Sequence, residues 1–155
     1  MDAKDWEIIR ALQQDGRRTT NEIADSVRLS GSAVSRRIAR LEKEGIISGY
    51  TALVDPDKVG YSATVMVEIT LDSQSDSAQS KFEQAVAKVP SVRSCYLMSG
   101  DADYLLKVAA RDLRDFEQLR RKVLSDLPHV SRMQTSFALR EIVNHLEYAP
   151  ESAQT

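Results

Sequence analysis

Residues 19–45 read TTNEIADSVRLSGSAVSRRIARLEKEG, and their spacing decides the fold of the first third of the chain. Thr19 followed three residues later by Glu22 has the form of a capping box, and Ile23, Ala24 and Val27 make the buried stripe of a two-turn helix. Arg28 and Leu29 leave only a short connector before Ser30, a good N-cap for the next helix. There Val34, Ile38 and Leu41 fall at i, i+4 and i+7 on one face, and Gly45 supplies the C-cap. Upstream, Trp6, Ile9 and Leu12, widened by Ile8, predict an amphipathic helix over residues 3–14 capped by Asp2 and ended by Gly16. Three short helices with short turns are the helix-turn-helix arrangement.

The last of these helices puts small residues and positive charge together. Opposite its apolar stripe lie Ser32, Arg36, Ala39 and Lys43, with Ser35 and Arg40 on the flanks. A helix entering the DNA major groove needs this: small side chains at its first turn permit close approach, and arginines bond base edges or phosphates. Ser30 and the free N–H groups of the first turn suit a phosphate, and Arg17, Thr19 and Thr20 precede the second helix where such a fold meets the backbone. The candidates for DNA contact are therefore Arg17, Thr19, Thr20, Ser30, Ser32, Ser35, Arg36, Arg37 and Arg40. A solvated charged face with i, i+4 pairs such as Arg40 to Glu44 would present the same residues.

After Gly45 the period changes. IISGYTALVDP, residues 46–56, has the β-branched and aromatic content of a small wing or of a strand leading out. DPDKVG, residues 55–60, reads as a linker, which divides the chain into a winged helix-turn-helix over 1–54, a second domain over 61–147, and a flexible tail over 148–155. The second domain alternates strand-like YSATVMVEITL, a helix bearing Phe82, Val86 and Val89, and a hairpin across residues 92–110. A helix over 113–127 with Phe116, Leu119, Val123 and Leu127 inward follows, then the strand VSRMQTSFALRE. The order β-α-β-β-α-β is the ferredoxin-like arrangement, in which both helices cover one face of a four-stranded antiparallel sheet, so the fold class is α+β. Apolar residues in both phases of the first strand call for a second cover on the open face, and self-association supplies it economically.

The chain has 155 residues, net charge −2 and a single cysteine, Cys95. One cysteine excludes an internal disulfide or a CxxC metal site and fits a reducing cytoplasm, and no apolar run reaches signal-peptide or membrane-span length. Residues 1–50 hold nine Lys/Arg against eight Asp/Glu, so any basic patch is local. SGDADY, residues 99–104, could be nothing more than a hairpin turn, which requires Gly and Asp. It could also be a polar pocket in which Gly100 admits a ligand to the backbone and Asp101 or Asp103 accepts from an ammonium. No nucleophile, base or metal-ligand set accompanies the two carboxylates, which argues against catalysis and against a metal. His129 and His145 have no partner at metal-ligand spacing.

The strings DxxDxxIIxxLQxDGR and IAxxVxLSxSAVSRRIxRLExEGIIxGYTALVDPxxVGY, followed by VP, SGDADYLLKV, LP and SFALRE in order, resemble the Lrp/AsnC family of transcription regulators over about residues 2–147. The resemblance implies an amino-acid-binding regulatory domain that dimerises through its sheet and assembles further into octamers or other multimers of dimers. It also implies an effector site between dimers, formed by Met98, Ser99, Gly100, Asp101, Ala102, Asp103 and Tyr104 with Gln134, Thr135 and Ser136 of another subunit. Where the family often has an aromatic between the two aspartates, this chain has Ala102, which enlarges the pocket or removes a stacking surface. The expected function is sequence-specific regulation of transcription in the cytoplasm, with double-stranded DNA and an amino acid or related metabolite as partners and no other cofactor. The alternative is an architectural protein that wraps DNA with little sequence preference and no effector.

Overall fold

The computed structural model of the chain describes residues 1–144 and 148–149. Its described residues form two compact units, residues 1–53 with 143, 144, 148 and 149, and residues 54–142. His145 and most of the tail expected to be flexible lie outside the described residues.

The first unit holds α1 (Ala3–Gln14), α2 (Thr20–Val27) and α3 (Gly31–Lys43). Each begins on the residue whose side chain accepts from the first turn: Asp2, Thr19 and Ser30. Thr19 and Glu22 complete the capping box reciprocally, as do Asp2 and Asp5. α3 closes with Gly45 in the left-handed region at φ 70°; its N–H reaches the Glu42 carbonyl and the next N–H reaches Leu41. This is a complete Schellman ending, and it needs the glycine. Between α2 and α3 the turn is so tight that Arg28 itself adopts φ 55°, and a Cβ on Gly31 would lie 2.8 Å from Asn21 Oδ1. Ile8, Ala11, Ile23, Ala24, Val27 and Val34 form the core.

Two expectations for this unit change. In α1 the buried residues are Asp5, Ile8 and Ala11, whereas Trp6, Ile9 and Leu12 are only half-buried. The stripe is rotated because Asp5 is drawn inward by cations from α3. The segment expected to hold wing strands forms none within the chain: residues 46–62 carry only a single 3₁₀ turn, Asp57–Val59, closed by Gly60 at φ 87°. A short isolated ribbon is marginal without a third strand or a packed face, and Ile46, Tyr50, Leu53 and Val54 remain exposed.

The second unit contains β1 (Ala63–Leu71), α4 (Asp76–Val86), β2 (Val92–Leu97), β3 (Tyr104–Ala110), α5 (Leu113–Lys122) and β4 (Val130–Phe137). The antiparallel sheet has the order β2-β3-β1-β4. Val65, Val67, Ile69 and Leu71 of β1 and Leu106 and Val108 of β3 pack beneath Phe82 of α4 and Phe116 of α5. α5 stops five residues earlier than the expected Leu127. Leu127 precedes Pro128, which forces it to extended geometry at ψ 139°, and the intervening residues tighten into a 3₁₀ turn that buries Leu124. The other sheet face is less apolar than the alternation suggested: Met66, Leu105, Ala109 and Tyr96 share it with Glu68 and with Lys107, which is paired to Glu141 at 3.2 Å.

Candidate nucleic-acid interface and sensor loop

The face of α3 opposite Val34 and Leu41 carries Ser32, Ser35, Arg36, Ala39 and Lys43, all exposed. Arg36 makes no hydrogen bond or ion pair with any described residue. Arg37 does not belong to this face. It lies on the buried stripe between Val34 and Leu41, and its Nη1 donates to Asp2 Oδ2 at 2.8 Å and to Asp5 Oδ1 at 2.7 Å. Its inclusion among the DNA contacts is therefore corrected: the guanidinium is spent on α1. Arg40 sits on the flank, one turn beyond Arg36, yet its Nη2 turns back to Asp5 Oδ2 at 2.6 Å.

Asp5 is only 1% exposed. Burial alone would raise its carboxyl, but hydrogen bonds from the Asp2 N–H, Arg37 and Arg40 outweigh that and hold it at about 2. Asp2 is likewise held below the usual carboxylate range, first by its hydrogen bond from Arg37. Periodicity misses this network because a carboxylate counts as an outward residue. The available signal was that Asp5 stands one turn before Ile8, on the stripe, where a charge requires a cation.

The remaining candidates divide by what their side chains already do. Thr19 Oγ1 caps α2 and donates to Glu22 Oε2 at 2.8 Å. Ser30 Oγ caps α3 and lies 3.1 Å from Ser32 Oγ. Arg17 is exposed, its backbone N–H tied to Asp15, and Thr20 is half-buried.

In the second unit the string Met98–Tyr104 separates into a tip and a base. Met98, Ser99, Gly100 and Asp101 are exposed and Ala102 is half-buried. Asp103 and Tyr104 are buried. Asp103 Oδ2 accepts from the Leu71 N–H at 2.7 Å and its Oδ1 from Gln74 Nε2 at 3.0 Å, so this carboxylate fastens the loop to the end of β1. Tyr104 packs against Phe82 with ring centroids 4.6 Å apart and donates to Glu83 Oε1 at 2.9 Å; burial, then the Glu83 contact, pushes the phenol well above its ordinary range. Both side chains are already engaged inside the unit, and the groups of this loop left without a partner are those of its exposed tip. The β4 candidates also part: the register pairs Gln134 with Glu68 and Ser136 with Met66 on the open face, while Thr135 pairs with Val67 on the helix side. Gln134 and Ser136 thus share one face of β4, and Thr135 lies on the other. A cavity of about 300 Å³ beneath α4, lined by Glu83, Val86, Val92, Cys95, Leu97 and Tyr104, meets the loop only at its base. Burial, more than the nearby Glu83, raises the Cys95 thiol. His129, at φ 64°, places Nδ1 2.9 Å from Asp72 Oδ1.

A three-helix unit with an outward small and basic α3, followed by a βαββαβ unit, defines a helix-turn-helix regulator with a sensing module. The winged helix-turn-helix DNA-binding profile matches residues 1–48, and that of the Lrp/AsnC ligand binding domain matches residues 64–148. The chain is 37% identical over 142 residues to the leucine-responsive regulatory protein of Escherichia coli K12, covering 92% of this chain and 87% of that one. It is 35% identical over 143 residues to the Bkd operon transcriptional regulator of Pseudomonas aeruginosa, covering 92% and 94%. A Neisseria meningitidis transcriptional regulator solved in complex with L-methionine superposes with a TM-score of 0.92 at 31% identity, over 99% of both chains. The chain belongs to the Lrp/AsnC family and is a transcriptional regulator.

Proposed function

We propose that the protein binds operator DNA through α3, reading bases with the face formed by Ser32, Ser35 and Arg36, and that an amino acid or closely related metabolite tunes this binding from the second unit. The observation that carries the reading is the state of Arg36: exposed, unpaired among the described residues, and set beside small side chains that allow the helix to approach a groove. The effector reading is supported by the exposed tip Met98–Asp101 and by the methionine bound to the Neisseria regulator. The open sheet face, with Met66 and Leu105 on its two central strands and Tyr96 on the edge strand β2, is the surface for a second copy, and dimers assemble further, as an octamer or another multimer of dimers. The protein acts in the cytoplasm, on double-stranded DNA, without a cofactor.

Footprinting on promoter fragments, with and without each common amino acid, tests this. The expected result is a compact palindromic footprint that changes with one effector class. Extended periodic protection indifferent to amino acids would instead establish the architectural alternative. The near balance of charge in residues 1–50 speaks against that alternative, because wrapping without base contacts depends on many phosphate neutralisations.

A further inference from the structure

Of the basic groups along the outer side of α3, Arg40 alone is claimed by a buried carboxylate. Asp5 receives three donors: the Asp2 N–H at 2.8 Å, Arg37 at 2.7 Å and Arg40 at 2.6 Å. The two arginines are not equivalent. Arg37 is enclosed on the inner stripe, 26% exposed, and is shared between Asp2 and Asp5. Arg40 stems from the flank next to Arg36 and is 45% exposed, with Glu44 a further 3.9 Å from its Nε. Its guanidinium can reach outward by side-chain rotation alone, with α3 held in place by Arg37 and the apolar stripe. If it left, Asp5 would keep Arg37 and the Asp2 amide.

We infer that Asp5 is a specificity-determining residue: by retaining Arg40 it limits the positive charge that α3 offers to phosphates. The inference rests on α3 being the DNA-reading helix. Phosphate neutralisation supplies nearly all non-specific affinity, whereas base-edge contacts supply the discrimination. A buried anion that withholds one arginine therefore lowers binding to arbitrary duplex while leaving Arg36 to the operator. The capping box of α1 acquires a second role, since the Asp5 carboxylate that closes it also sets the charge of another helix.

The test is the salt dependence of binding to a random-sequence duplex and to the operator, by fluorescence anisotropy on the full chain. Asp5→Asn keeps the shape and an acceptor for the Asp2 amide but removes the charge. Its binding should fall more steeply with salt, the slope of log K against log[salt] growing by about 0.9 for the one released arginine. Across a four-fold change in salt that slope alters the variant-to-wild-type affinity ratio roughly 3–4-fold. The operator-to-random ratio should fall, and Arg40→Gln added to Asp5→Asn should restore the wild-type slope. A merely structural role for Asp5 would move the slope the other way or not at all, and that result overturns the inference. Should Asp5→Asn not fold, Arg40→Gln alone decides: its salt slope should match that of the wild type, and a slope flattened by about 0.9 overturns the inference. Absence of duplex binding by the wild type would refute the reading of α3 itself, and the inference with it.

Discussion

Adjacent arginines on one helix should fail in opposite ways. Arg36→Ala removes an exposed side chain without a partner among the described residues, so stability should stay within about 0.5 kcal/mol. Operator affinity should drop by about 1–3 kcal/mol, or roughly 5–150-fold, if the guanidinium reads a base. Arg37→Ala strips Asp5 Oδ1 of its cation and Asp2 of its partner. Breaking a fully buried pair costs about 3–5 kcal/mol, but Arg37 keeps 26% exposure and Arg40 stays on Asp5, which lowers the figure to roughly 2 kcal/mol. The single tryptophan, Trp6, lies in α1, so its fluorescence in urea reports the first unit. With a denaturant slope of about 1 kcal/mol/M for so small a unit, Arg37→Ala should lower the midpoint by roughly 2 M. Arg36→Ala should leave it in place. Equal midpoint shifts for the two variants, or loss of operator binding by Arg37→Ala at full stability, would refute this assignment of faces.

Acid should act on the first unit through the same network. Asp5 has a folded value of about 2 against an ordinary 3.8, so its contribution is fully present above pH 3.8 and is lost as pH falls towards 2; allowing for solvent around the arginines, it is about 1–2 kcal/mol. A Trp6-monitored acid titration should show this loss, and Asp5→Asn should remove most of the slope between those two values. In the second unit, Asp103→Ala should orphan the buried Leu71 N–H and release Gln74, at a cost of about 1–3 kcal/mol, and should weaken the effector response by loosening the loop. Thermal shifts with and without effector check it, and an unchanged response would show that the loop tip needs no anchor.

What could be read from the sequence was what closes over short distances. The α2–α3 pair was legible because Thr19–Glu22, Ser30 and Gly45 each act within one turn, and the βαββαβ order was legible because each strand alternates and each helix keeps its own stripe. Residues 46–54 form no strand within the chain because β propensity there does not supply a partner strand, and the end of α5 was misplaced because Pro128 acts backwards on Leu127. Asp5 was missed for a different reason: its partners lie 32 and 35 residues later, so no local window contains both the charge and what neutralises it.

The candidate sites divided by one consideration that a motif string cannot carry, namely whether a side chain's bonding capacity is already used. Arg36 and Arg37 are neighbours in a motif and opposite in role, because 100° of helical rotation places one in water and the other on Asp5. Asp101 and Asp103 differ likewise, since the hairpin leaves the first at its tip while Asp103 bonds to the end of β1. Gln134 and Thr135 are separated by the pleat. In each case the motif names a segment, and the secondary-structure period selects which of its side chains remain exposed. What the fold leaves unused is therefore a set of N–H donors on Arg36 of α3 and of carboxylate lone pairs on Asp101 at the loop tip.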